Sequence, residues 1–149
     1  MLFRSRRALD EVMATAGEPG RSYTKAVPAA GRASFQRFCG EADQRLRAAR
    51  ALMLADGDEL MAAVDRPGSD LRAYDARTRA AAAFATQVAA DVLHELGRYA
   101  GGGSMRRDTY LERARRDVAM AANHLLVDDI AFENHGQFLL GVPGADPLR

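Results

Sequence analysis

Apolar residues recur every three or four positions along most of this chain, and no run of useful length alternates every second position, so the pattern predicts helices and no sheet. Residues 1–16 read as a first helix with a short stripe of Leu9, Val12 and Met13, stopped by Gly17-Glu18-Pro19-Gly20. A Gly/Pro/Ser loop over 17–29 leads into a long helix over about 31–65. Phe35, Phe38, Cys39, Ala42, Leu46, Ala49, Leu52 and Met53 keep the helical step there, and Leu60, Met61 and Val64 continue it. Asp56-Gly57-Asp58 interrupts that run. A mid-helix Gly costs about 1 kcal/mol relative to Ala, and the apolar phase survives across it, so a bend is expected rather than a break.

Pro67-Gly68-Ser69-Asp70 turns the chain into a third helix over about 71–100, with Ala81, Phe84, Ala85, Val88, Ala89, Val92, Leu96 and Tyr99 along one side. Gly101-Gly102-Gly103-Ser104 ends it. A fourth helix follows over 110–125 and a last one over 130–140. The tail has no reason to be ordered by itself, and 142–149 is expected to be flexible. The expected architecture is all-α, an antiparallel up-and-down four-helix bundle with short connections, and a single domain over 1–149.

The two ends of this pattern differ in quality. The fourth helix opens with a capping box, Thr109 as N-cap and Glu112 three residues on. The first helix opens without a cap, in the basic run Arg4-Ser5-Arg6-Arg7, which opposes the helix dipole. It reads as a helix entered part-way, so an N-terminally truncated fragment is expected. Leu2-Phe3-Arg4-Ser5 is moreover what CTC-TTC-CGA-TCT encodes, a stretch found in common sequencing adapters, so two readings of residues 1–5 stand side by side, an adapter remnant and native sequence.

Composition narrows the function classes. The chain of 149 residues is 48% apolar and 28% charged, which is globular composition, with much of the apolar share in Ala and no Trp. The net charge of +1 comes from interspersed signs, so no global field attracts nucleic acid or an anionic membrane. One cysteine, Cys39, forbids an internal disulfide, and with no Cys/His cluster no metal site is expected. No stretch approaches the ~20 apolar residues of a membrane span, and no signal-peptide core is present, so the cytoplasm is the expected compartment.

Candidate chemistry gathers in 111–128. At about 100° per residue, Asp117 and His124 project within roughly 20° of each other at the edge of the apolar stripe, with Arg113 about 40° from Asp117. Two readings of His124 stand side by side: a salt-linked structural group, or a proton-accepting side chain at a pocket edge. The Gly101–Ser104 loop is a helix stop, or a turn whose bare backbone approaches a cofactor with Ser104 as donor. It lacks the preceding strand of a dinucleotide fingerprint. Arg113, Arg115 and Arg116 form a phosphate clamp or a solvated helix turn, and Arg32 at the mouth of the long helix is ambiguous in the same way. No nucleophile elbow and no activated cysteine is visible.

Two blocks together carry a family resemblance. The first is Phe35-Gln36 followed by Gly40-Glu41-Ala42-Asp43-Gln44-Arg45-Leu46-Arg47-Ala48-Ala49-Arg50-Ala51-Leu52. The second is the Gly-Gly-Gly-Ser loop, then Leu111, Arg113, Arg116-Asp117 and His124 seven beyond the Asp, closed by Gly-Gln-Phe-Leu-Leu-Gly at 136–141. They resemble the C-terminal helical domain of the acyl-CoA dehydrogenase superfamily, on its branch of two-component, reduced-flavin-dependent monooxygenases. The resemblance implies a homotetramer whose flavin lies between a β domain and these helices, with FMN (reduced, supplied by a flavin reductase) or FAD as cofactor. It implies that Arg32 reaches the flavin phosphate from a neighbouring subunit, that Gly102, Gly103 and Ser104 flank the flavin, and that His124 is the catalytic group beside it. Dehydrogenases of the family often carry a catalytic Glu near this point, in a Tyr-Glu-Gly-Thr stretch; here the neighbourhood reads Asn123-His124-Leu125-Leu126, without a carboxylate. The function implied is hydroxylation of a small aromatic substrate. The alternatives are the C-domain of an acyl-CoA dehydrogenase and a non-catalytic helical oligomerisation module.

Overall fold

A computed structural model describes residues 1–18, 27–102, 106–124 and 127–148. Its elements are α1 (Leu2–Thr15), a 3-10 turn (Ala29–Gly31), α2 (Ala33–Val64), α3 (Leu71–Tyr99), α4 (Tyr110–Ala122) and α5 (Ile130–Leu139), with no strand among the described residues. Helices α1 to α4 form the up-and-down bundle that the periodicity predicts. Cross-links show each pair running antiparallel. Arg6 reaches Asp43 and the Ala30 amide donates to the Ala16 carbonyl between α1 and the start of α2. Arg45 pairs with Asp91 and Glu95 near one end of α2–α3, and Arg77 with Asp56 and Glu59 near the other. Arg7 lies 4.3 Å from the Tyr110 ring and Arg4 pairs with Asp117, which sets α4 against α1. Across the diagonal, fully buried Ser5 donates to the Ala89 carbonyl at 3.4 Å.

The core explains why α3 is central. Ala85, Val88, Ala89, Val92, Leu93 and Leu96 are buried on it, and Leu9, Phe38, Ala42, Leu46, Leu111 and Val118 from the other three helices complete one cluster. Alanine at so many contact positions lets helix axes approach closely. At the end shared by α2 and α3, Tyr99 packs between Phe38 (5.0 Å between centroids) and Phe35 (5.3 Å), a compact aromatic plug. Val88 is thus part of the chain's own core, whereas Phe84 remains exposed.

Helix α2 runs unbroken through Gly57, as the surviving apolar phase predicts, and Asp56 is buried because Arg77 comes to meet it. Further details go beyond the sequence pattern. Beyond Ala49 the apolar stripe of α2 changes character: Leu52, Met53, Leu54, Met61 and Val64 are exposed, since α1 covers only the first half of the α2–α3 pair. Helix α4 stops at Ala122 rather than 125, because the Asn123 side chain donates to the Ala119 carbonyl and the His124 amide tightens onto Ala121. The tail, expected to lack order of its own, is laid against α3 and α5. Arg72 donates to the Ala145 carbonyl, buried Asn134 donates to the Pro147 carbonyl at 3.2 Å, and Ala145 is buried.

Candidate functional site

His124 sits in the turn after α4, its backbone fixed on both sides: its amide donates to the Ala121 carbonyl at 3.1 Å and its carbonyl accepts from Val127 at 2.9 Å. The residue is exposed and lines a cavity of about 660 Å³ between α4 and the start of α1. Asp117, Val118 and Met120 line it from α4, Met1 and Arg4 from α1, and Val127 from the following turn. The seven-residue spacing does bring Asp117 and His124 to one cavity, although His124 is no longer on the helix. Arg113 is exposed and not part of the lining.

The cavity carries a built charge pair. The Arg4 guanidinium is paired with the Asp117 carboxylate, with side chains 53% and 37% exposed. At that exposure the pair contributes about 0–1 kcal/mol to stability. Its larger effect is local, since it neutralises the carboxylate on the cavity wall. Neither Arg4 nor Val127 was legible as lining this cavity: Arg4 stood in a stretch that also reads as an adapter remnant, and a lone Val after a polar turn carries no signal.

The other expected positions lie elsewhere. Arg32 is the N-cap residue of α2, exposed, and its Nε donates to the Val27 carbonyl at 3.1 Å. Gly101, with φ +74°, ends α3 in the left-handed region that favours glycine, and Gly102 follows it, exposed. Gly103 and Ser104 lie outside the described residues. Arg32 and Gly102 share the end of the bundle plugged by Tyr99. Along α1, from Arg4 beside the His124 cavity to Ala16 beside the start of α2, the rise is about 18 Å. The structure therefore divides the expected site into an Arg32/Gly102 end and a His124 flank. Arg115 and Arg116 pair with Glu112 of their own helix at 3.8 and 3.5 Å, which favours the bland reading of that arginine cluster.

The donor set suits a flavin in two parts. An exposed guanidinium at the amino end of a long helix suits a phosphate. An apolar wall of Val118 and Val127 with one imidazole suits the edge of an aromatic ring system. At about 18 Å apart, the two parts serve separate portions of a ligand, or ligands of different copies. Cys39 is not part of either; burial pushes its thiol pKa up, which disfavours the thiolate. Among the described residues no group of three or more His, Cys, Asp or Glu could hold a metal, and no helix is long and apolar enough to cross a membrane.

Comparison with known proteins adds the family. The family model described as "Acyl-CoA dehydrogenase, C-terminal domain" matches residues 4–129. A "Pigment production hydroxylase" of Rhodococcus sp. (strain ATCC 21145) is 29% identical over 126 residues, covering 79% of this chain and 33% of the hydroxylase. The structure described as XiaF from Streptomyces sp. in complex with FADH2 and glycerol superposes with a TM-score of 0.84 at 22% identity, over 99% of this chain and 37% of XiaF. At that identity the likeness to XiaF is one of fold. The chain spans about a third of the length of each relative.

Proposed function

Because the chain belongs to the acyl-CoA dehydrogenase family as its C-terminal helical domain, we propose that it serves a reduced-flavin-dependent monooxygenase that hydroxylates a small aromatic substrate. One observation carries the choice of chemistry. The carboxylate on the wall of the His124 cavity, Asp117, is ion-paired with Arg4, so the imidazole is the group there suited to proton transfer. A dehydrogenase acting on an acyl-CoA needs a carboxylate base, whereas a hydroxylase needs a group that accepts or holds a phenolic proton near neutral pH, the range in which histidine works. The hydroxylase relative supports the same choice.

Reduced flavin, when bound, supplies the activation of oxygen; the chain supplies orientation, exclusion of water and a proton acceptor. In this reading His124 takes the proton of the substrate hydroxyl, and Val118 and Val127 keep that side of the cavity apolar. Arg32 holds a flavin phosphate of a neighbouring copy in a homotetramer, which agrees with its distance from His124, and Gly102, Gly103 and Ser104 flank the cofactor. Reduced FMN delivered by a flavin reductase, or FAD, fills the role, in the cytoplasm.

The test uses the enzyme with its upstream domains in place. Oxygen uptake that depends on reduced flavin and yields a hydroxylated phenol is the expected result, while the 149-residue chain alone gives no turnover because most of the flavin pocket lies outside it. Dye reduction driven by an acyl-CoA would instead identify a dehydrogenase. Absence of flavin binding in the full enzyme would leave a helical oligomerisation module.

A further inference from the structure

His124 and Val127 reach the cavity wall from the connection between α4 and α5, so whatever holds that connection decides where the imidazole stands. Upstream, the bundle core gives out at Val118 and α4 ends at Ala122. Downstream the support is α5, which packs along α3 and on no other helix to a comparable extent. The buried residues of α5 are Ala131 and Asn134, a methyl and an amide. So small an apolar contact is a weak hold, because the hydrophobic gain scales with the apolar area removed from water.

Polar contacts at both ends of α5 reinforce it. At its start, Gln87 of α3 donates to Asp129 Oδ1 at 3.1 Å, and Asp128 Oδ1 accepts from the Ile130 amide at 2.6 Å. Past its end the chain turns back twice, at Gly141 (φ +64°) and Gly144 (φ +79°), both in the left-handed region that favours glycine. The turns lay 145–147 against two anchors. The Arg72 guanidinium, 6.0 Å from the Phe138 ring, donates to the Ala145 carbonyl. Buried Asn134 donates to the Pro147 carbonyl at 3.2 Å, and Ala145 and Pro147 are themselves buried. Residues 141–148 thus form a strap that ties the end of α5 to the start of α3, roughly 22 Å along α3 from the Gln87 anchor.

We propose that α5 and its strap are a clamp that positions His124, with Arg72 and Asn134 as positioning residues that act through α5. While the strap is closed, α5 stays seated on α3 and Val127 stays where its amide donates to the His124 carbonyl at 2.9 Å. When the strap opens, α5 leaves α3 and draws Val127 and His124 from the cavity wall. The four bundle helices stay folded, because their shared core holds no residue of α5. Val127 has room to move: it lines the cavity beside Leu46 and Ala85 as well as the one it shares with His124. The bearing of the clamp on turnover rests on the reading of His124 as a proton acceptor; the clamp itself does not.

Native-state hydrogen exchange on the 149-residue chain is the test. The amides of Val127, Leu140 and Val142, bonded to the His124, Gly136 and Gln137 carbonyls, should exchange through one shared opening. That opening should be faster than the one that exposes Val92 and Leu93 in the core. Arg72→Gln and Asn134→Ala should each speed the first three amides by a common factor of about 3–10-fold and leave the core pair unchanged. Arg72→Lys, which keeps a charged donor, should restore part of the protection. Gly144→Ala, strained in the left-handed region, should loosen the same set without altering either anchor. With labelled histidines, the His124 imidazole resonance should move in the loosened variants while that of exposed His94 on α3 stays put. Faster exchange at Leu140 and Val142 with Val127 and the His124 resonance unchanged overturns the proposal, since the strap would then hold α5 alone. So does a Val127 amide that exchanges with the core, which would tie the connection to the bundle. None of these readouts involves flavin or oxygen. Coupled exchange beside a full enzyme without flavin-dependent oxygen use removes only the functional reading, and uncoupled exchange in a working hydroxylase removes only this inference.

Discussion

Arg77→Met probes what holds the α2–α3 hairpin in register. Asp56 points inward from α2 with a side chain only 10% exposed, and Arg77 Nε lies 3.1 Å from its Oδ1. The same guanidinium pairs with Glu59 and lies 5.3 Å from the Tyr74 ring. The hydrogen bond to Glu59, with Asp56 adding its charge, holds the guanidinium even more firmly protonated than an ordinary arginine. Methionine keeps the apolar stem and removes the charge. Glu59 is more than half exposed and relaxes into water, but Asp56 is left inside without its cation. Stranding one partner of a fully buried pair costs about 3–5 kcal/mol. Arg77 is 33% exposed, so water reaches the site and the lower part of the scale applies, about 2–3 kcal/mol. For a chain of this size that is roughly 4–10 °C in melting temperature. Urea unfolding followed by circular dichroism should show the loss as a lower midpoint at unchanged slope. Adding Asp56→Asn to Arg77→Met should recover most of it, because no unpaired charge remains. The reasoning fails if Arg77→Met lies within about 0.5 kcal/mol of the parent, or if the two substitutions simply add.

Thr109→Ala removes the oxygen that accepts the Glu112 amide at 3.3 Å and should cost about 1 kcal/mol; an unchanged midpoint would show that α4 does not depend on its cap. Cys39 should react with a disulfide reagent more slowly than an unstructured thiol at pH 8, with the rate climbing only above the ordinary thiol range, since burial raises its pKa; fast labelling at neutral pH would contradict its placement. In the full enzyme His124→Ala should leave stability within about 0.5 kcal/mol, as the residue is exposed, and lower turnover about 10²–10⁴-fold. His124→Asn should keep binding but not proton transfer, and parental turnover in the alanine variant would end the assignment.

Helical period carried most of the fold in the sequence because it reports which face of each helix is apolar, and the four bundle helices obey it from Leu9 to Val118. What it cannot report is what lies opposite that face. Met53, Leu54 and Met61 have core spacing yet face outward, because the covering element is α1 and α1 reaches only as far as Arg50. Asp56-Gly57-Asp58 looked like an interruption for the converse reason. A carboxylate on the inner face is tolerated only if a distant cation meets it, and Arg77, one helix away, is invisible to a local window. The partners of the tail, Arg72 and Asn134, come from α3 and α5 and are equally out of reach of a local window.

The site was legible to the extent that it depends on helical spacing. Asp117 and His124 line one cavity although α4 stops at Ala122, because the turn that follows keeps His124 on the side facing the start of α1. Arg4 could not be anticipated. Its pairing with Asp117 follows from how α1 lies across α4, a tertiary fact set by Ser5 and Leu9 burying against α3. In the proposed function that pairing commits the carboxylate and leaves proton transfer to the imidazole. Arg32 and the glycines after Tyr99 were grouped with His124 by family position alone. The bundle places them about 18 Å away along α1, so only an arrangement spanning the length of a cofactor, or two copies of the chain, unites them in one active site.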